Sequence, residues 1–148
     1  MTVEALKNGD PRFFVENDVA KLNDSAGIHS AAHLSESCFQ VNLNAFAYFC
    51  PYFEARTEVE ISGSEKGYAD LVFYPKNGVE CSYVFELKYL SQNKCNEESV
   101  LNALKVAKEQ LSRYQRGDNI SKRQGLHLVA CVFSGTKLRA LSVEEVER

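Results

Sequence analysis

The stretch LHLVACVF, Leu126 to Phe133, is an apolar run of eight residues interrupted only by His127. It is far too short to cross a membrane as a helix. Its length and its valines suit a strand apolar on both sides, and such a strand must be covered on both faces. That requirement favours a layered α/β fold over a sheet with one wet face. The chain has 148 residues, 45% hydrophobic and 25% charged, enough for one domain with a real core.

The neighbouring elements fit such a layer. Residues 4–23, with Phe13, Phe14, Val19 and Leu22, read as helical material broken near Asp10-Pro11, and a polar stretch from Asn23 to His29 follows. Ser35 is an N-cap candidate. Phe39, Leu43, Phe46 and Cys50 then recur at helical spacing until Pro51. Thr57 to Ile61 alternates as a strand, and Ser62 to Gly67 is a turn. A strand from about Tyr68 to Tyr74, the turn Pro75-Lys76-Asn77-Gly78 and a strand from Cys81 to Leu87 follow. After a polar loop from Gln92 to Glu98, a long helix carries Val100, Leu104, Ala107, Leu111 and Tyr114 on one stripe, with Gly117-Asp118-Asn119 ending it. The tail from Lys137 reads as a short edge strand and a charged end. The order α-β-β-β-α-β predicts an α/β sandwich with a mixed sheet.

Bulk properties narrow the functional classes. A net charge of −3 gives no general attraction to nucleic acid, so a polyanion partner needs a local basic patch or metal ions. Lys105, Lys108, Arg113, Arg116, Lys122 and Arg123 gather along the long helix and its C-terminal loop and could form such a patch, although a solvated helix face accounts for the same residues. MTVEALKNGD lacks the apolar core of a signal peptide, and a cytoplasmic location is expected. Cys38, Cys50, Cys81, Cys95 and Cys131 contain no C-x-x-C pair, which argues against a zinc site. Most of them are expected to be buried thiols in a reducing compartment.

Against this apolar background, YADLVFYPKNGVECSYVFELKY, Tyr68 to Tyr89, poses a problem. Its first strand opens on Asp70 and its second closes on Glu86-Leu87-Lys88. Charges in a buried strand must be paired or hold a metal. If the two strands pair as a hairpin, Asp70 and Glu86 meet at one end of the sheet, and Lys88 projects from the same face as Glu86. Two carboxylates suit Mg²⁺, and an adjacent ammonium suits the charge that develops in phosphodiester hydrolysis. A surface salt bridge at a strand end accounts for the same residues at little energetic gain. On the long helix, Gln110 and Tyr114 share a face with Ala103 and Ala107. Glu36, in the first turn of the Ser35 helix, is either a third acidic site residue or a response to the helix dipole.

The ordered series Asp70, Glu86-Leu87-Lys88 and Gln110-Leu111-Ser112-Arg113-Tyr114 resembles the PD-(D/E)XK nuclease superfamily, and the last motif resembles the Q-h-x-x-Y signature of its RecB-like branch. The likeness is nearest to the PD-(D/E)XK domain at the C-terminus of bacterial AAA-ATPase-like proteins. EALKNGD resembles the lead-in helix, ESCFQVNLNAFAYF the first core helix with Glu36 in place, and TEVEISGSEKGYADLVFYP the first strand pair. Ala69 stands where the superfamily name has proline, and no G-x-x-x-x-G-K-[ST] occurs.

The resemblance implies a restriction-endonuclease-like α/β sandwich, a central mixed sheet flanked by helices. It implies a helical lead-in over residues 1–30 and a nuclease-like core over 31–148 within a single domain. Asp70, Glu86 and the Leu87 carbonyl would ligate Mg²⁺, with Mn²⁺ as a substitute, and Lys88 would be the catalytic lysine. Glu36, Gln110 and Tyr114 would support the site. The expected activity is metal-dependent hydrolysis of nucleic acid, DNA foremost, with an AAA-type ATPase as a partner. The alternative is a non-catalytic nucleic-acid-binding or regulatory module.

Overall fold

The turn at Asn77-Gly78 sets the register of the sheet. Both residues have left-handed backbones, φ +52° and +86°, and the Val79 N–H donates to the Lys76 carbonyl across them at 3.2 Å. This is the primed turn geometry whose twist matches antiparallel strands, and Asn-Gly is its preferred pair. The Asn77 side chain donates to the Pro51 carbonyl and ties the turn to the start of the first strand.

The computed structural model describes residues 2–19, 50–63, 66–134 and 137–146. Its strands are β1 (Phe53–Glu60), β2 (Tyr68–Pro75), β3 (Ser82–Leu90), β4 (Leu126–Ser134) and β5 (Lys137–Glu145), side by side in chain order. The pairs β1–β2, β2–β3 and β4–β5 are antiparallel, while β3–β4 is parallel. A parallel pair needs a crossover, and α2 (Glu97–Tyr114) provides it, followed by the single turn α3 (Asp118–Ser121). At the N-terminus, α1 (Thr2–Lys7) precedes a wider, π-helical turn, Phe14–Val19, with the expected break at Asn8 to Pro11 between them.

Every residue of β4 is buried, as its apolar run demands. One face of the sheet packs Phe53, Phe73, Tyr83, Phe85 and Phe133 against Leu6, Phe14 and Val15 from the N-terminal helical segments. The other face packs Val72, Val84, Leu128 and Ala130 against Ala107, Leu111 and Tyr114 of α2. The mixed α/β sandwich with helices on both sheet faces is therefore the observed architecture. Helix α2 begins at a reciprocal cap: the Asn96 side chain accepts from the Ser99 N–H, and the Ser99 hydroxyl accepts from the Asn96 N–H. Of its expected stripe, Val100, Ala107, Leu111 and Tyr114 are fully buried.

Several expectations need correction. Strand β1 begins at Phe53 rather than Thr57, because Phe53 is the one fully buried anchor of a strand otherwise half-exposed. Strand β5 has nine residues and is not short. The loop before α2 contains a 3₁₀ turn, Gln92–Lys94, and the segment after Gly117 coils once more as α3. Only Cys131 is a fully buried thiol among the described cysteines, while Cys50, Cys81 and Cys95 are half-buried. The Ser35 helix, Cys38 and the polar stretch from Asn23 lie outside the described residues.

Candidate active site

Between β2 and β3 the backbone ladder runs Phe73↔Tyr83, Val72↔Val84, Leu71↔Phe85 and then stops. One step further along the same register sets Asp70 opposite Glu86. There the acidic side chains take over the backbone donors. The Asp70 N–H donates to Glu86 Oε1 at 3.2 Å, and the Leu87 N–H donates to Asp70 Oδ2 at 2.7 Å. Each carboxylate thus caps a backbone amide of the other strand, so a local pairing rule fixes the two acids against each other.

Alternation on β3 sends Phe85 and Leu87 into the aromatic face and Val84 and Glu86 toward α2. Glu86 is only 2% exposed. Lys88 Nζ lies 4.0 Å from Glu86 Oε2 and remains partly open to solvent. The Glu86 carboxyl is pushed up to about 8. Burial is the main cause, and the negative charge of Asp70 is the next. The Asp70 N–H and the Lys88 ammonium pull the other way without prevailing. A single ammonium at 4.0 Å therefore does not make this a simple salt bridge, because burial and the Asp70 charge outweigh its pull on the Glu86 carboxyl.

The far wall comes from α2. Tyr114 is buried above the first residues of β2, and its phenol is raised by burial first and then by Glu86, with Asp70 adding to the same effect. It therefore lies within the field of both acids. Gly67 makes that approach feasible: at φ +142°, an added Cβ would sit 2.8 Å from Tyr114 Cε1. Gln110 is half-buried beside the phenol and acts to lower it through hydrogen bonding. The Gln110 Oε1 is buried and has no hydrogen-bond partner among the described residues.

The donor chemistry fits a hard divalent cation. Two adjacent carboxylates, one forced to hold a proton by burial and by its neighbour, form a site whose repulsion a cation relieves. Among the described residues no third His, Cys, Asp or Glu joins them. Glu36 lies outside the described residues. Asp70, Glu86, Lys88, Gln110 and Tyr114 are thus brought to one end of the sheet, on its α2 side. Leu87 contributes its backbone there while its side chain packs in the aromatic core.

The expected basic patch divides. Lys105 and Lys108 line a groove between α2 and β5, whereas the Arg123 guanidinium lies over the Tyr74 ring at 4.5 Å. Residues separated by fifteen or more positions along a helix and its exit loop have no reason to share a face. Arg56, which the sequence did not single out, also lies over Tyr74, at 5.7 Å. The signal for it was present, since cross-strand alternation places Arg56 opposite Val72, two residues from Tyr74.

A mixed five-stranded sheet with a parallel β3–β4 crossover, whose acidic pair sits where β2 and β3 part, defines a restriction-endonuclease-like α/β fold. The family profile of the PD-(D/E)XK nuclease superfamily matches residues 34–142, and the chain belongs to that superfamily. No curated protein and no solved structure matches the chain.

Proposed function

We propose that this chain is a Mg²⁺-dependent nuclease that hydrolyses phosphodiester bonds of DNA, with Asp70, Glu86 and Lys88 as its catalytic residues. The observation that carries the reading is the crossed pair, in which Asp70 and Glu86 each cap the other strand's amide beside Lys88. A structural salt bridge does not need two carboxylates in one half-buried pocket, and burying them together costs stability.

Asp70, Glu86 and the Leu87 carbonyl would hold the cation, which supplies charge stabilisation at the phosphate oxygens and activates water. Lys88 stands beside Glu86 and partly open to solvent, where it could reach a substrate. Its ammonium then orients the attacking water or stabilises charge on the scissile phosphate. Tyr114 closes the site from α2 and limits water around Glu86. Gln110, on the same face of α2 beside the Tyr114 phenol, supports that wall of the site. Glu36 is assigned as a further supporting acid by resemblance alone.

The reading extends to partners. The Q-h-x-x-Y motif at Gln110 to Tyr114 supports the RecB-like branch, and the likeness to domains following AAA-type ATPases supports a cytoplasmic ATPase partner. A net charge of −3 leaves intrinsic affinity for DNA weak, and an attached motor would offset that by local concentration.

Cleavage of single-stranded, double-stranded and branched DNA with Mg²⁺ or Mn²⁺ tests the proposal, with Lys88→Ala as control. Metal-dependent cleavage by the wild type that collapses in the variant is expected. Metal binding without cleavage of any substrate, with or without an ATPase partner, would replace the enzyme by a non-catalytic nucleic-acid-binding module.

A further inference from the structure

Strand β5 is an edge of the sheet, and among the described residues no strand pairs with its outer side. Such an edge is a template for another strand. Its charges are sorted by sign along its length: Lys137 and Arg139 at the start, Glu144 and Glu145 at the end, with half-buried Leu138, Ala140, Leu141 and Val143 between. Beside it, α2 and β5 bound an open groove of about 460 Å³ lined by Leu101, Leu104, Lys105, Lys108, Glu109, Ser112 and Glu144. Leu101 is 65% exposed. None of these charged groups has an ion-pair partner among the described residues.

We propose that the β5 edge and the α2–β5 groove together form a two-fold interface with a second copy of this chain. The occupant follows from the order of the charges. An antiparallel mate centred on Leu141 brings the Lys137 and Arg139 end of one strand alongside the Glu144 and Glu145 end of the second copy. A parallel in-register mate sets Lys on Lys and Glu on Glu. The edge therefore accepts one antiparallel copy, which closes it, and repels the open-ended stacking that unguarded edges invite. Arg139 is the extra residue of a bulge, since the register steps from Val132↔Ala140 to Phe133↔Leu138. Ladder pairing with the mate is therefore centred on Ala140 to Ser142, and Lys137 and Arg139, at and before the bulge, meet the mate's Glu144 and Glu145 as opposite charges rather than as ladder partners.

Helix α2 is also sorted by charge, in the opposite order along the chain. Glu97 and Glu98 in its first turn precede the exposed Leu101 and the half-buried Leu104, and Lys105 and Lys108 follow. The two-fold that pairs β5 with its mate leaves the two α2 helices antiparallel on the same side of the joined sheet. Each acidic first turn then faces the other copy's lysines, and Leu101 is covered. Two elements far apart in sequence are thus self-complementary under one symmetry operation. Asp70 and Glu86 lie where β2 and β3 part, away from the β5 edge, so the interface is independent of the nuclease reading.

Sedimentation of the full chain tests this, with circular dichroism as the check on folding. The wild type is expected to sediment with twice the chain's mass. An all-acidic edge (Lys137→Glu with Arg139→Glu) and an all-basic edge (Glu144→Lys with Glu145→Lys) are each expected to weaken the dimer by about ten- to a hundred-fold. An equimolar mixture of the two, and the fourfold charge swap, should restore it. Leu101→Glu, at an exposed position that folding tolerates, reads the groove without touching β5 and should also yield monomer. A monomeric wild type, with the edge covered by residues 20–49 or reserved for a different protein, overturns the proposal. So does a dimer indifferent to both the edge charges and Leu101.

Discussion

The two faces of the sheet are built from different materials. On the N-terminal side, Phe14, Phe73 and Phe85 interlock edge to face with ring centroids 5.0–5.8 Å apart, and Phe53 and Tyr83 extend the cluster. The α2 side has no phenylalanine: Ala69, Val72, Val84, Ala107 and Ala130 pack there with Leu111, Tyr114 and Leu128. Aromatic pairs contribute beyond their buried area. Small residues bury less but let the helix come close and leave room for Glu86. The contrast teaches that stability and chemistry have been assigned to opposite sides of the same strands. Adjacent residues of β3 serve the two purposes in alternation.

The largest effect should come from the aromatic side. Phe73→Ala removes a ring with four aromatic neighbours and a residue 2% exposed, and is expected to cost about 3–5 kcal/mol in urea unfolding. A loss below about 1 kcal/mol would break the comparison. Lys88→Ala should do the opposite. It should slow cleavage by on the order of 10²–10³ while moving the urea midpoint little, because Lys88 is partly exposed and fills no core volume. An undiminished rate would remove Lys88 from the chemistry.

The pH dependence of stability sharpens the contrast further. Glu86 titrates near 4.5 when unfolded and is pushed up to about 8 in the fold, so the folded chain holds the extra proton. Stability from this group is therefore full below about 4.5 and is lost as pH rises toward 8. Glu86→Gln should flatten that decline, raising Tm at pH 8 by on the order of 5 °C while abolishing cleavage. Mg²⁺ should flatten it in the wild type alone. A Tm profile unchanged by Glu86→Gln would mean that Glu86 is ionised and solvated. Smallest is Gly67→Ala, expected to cost about 1 kcal/mol because the new methyl meets the Tyr114 ring. Its readout is the urea midpoint, and an unaltered midpoint would show that α2 yields there.

Much of this was legible from the sequence because two periodicities coexist in it. The run from Leu126 to Phe133 has no polar face and folds as a strand with none. The turn residues between β2 and β3, with sixteen positions from Asp70 to Glu86, were enough to foresee the two acids at one end of the sheet. What was not legible depends on rotation and on distant partners. A helix turns about 100° per residue, so Lys105 and Lys108 face β5 while Arg123, beyond α3, reaches Tyr74. Half-exposed edge strands such as β1 and β5 carry a weak alternating signal, and their lengths were misjudged. The capping of Leu87's amide by Asp70 leaves no trace in composition or spacing.

The primed turn at Asn77-Gly78 has a consequence for how this chain can change over time. A strand's side chains alternate, so one residue gained or lost between Pro75 and Ser82 would rotate β3 by half a turn relative to β2. Glu86 and Lys88 would then point into the phenylalanines, and Phe85 and Leu87 toward α2. No partially working intermediate lies on that route, because the misplaced charges would cost more than the fold can spare. The aromatic layer thereby acts as a proofreader of reading frame: it rejects length changes in the hairpin while remaining indifferent to most substitutions in the turn. The positions that accept variation are the ones that leave spacing intact.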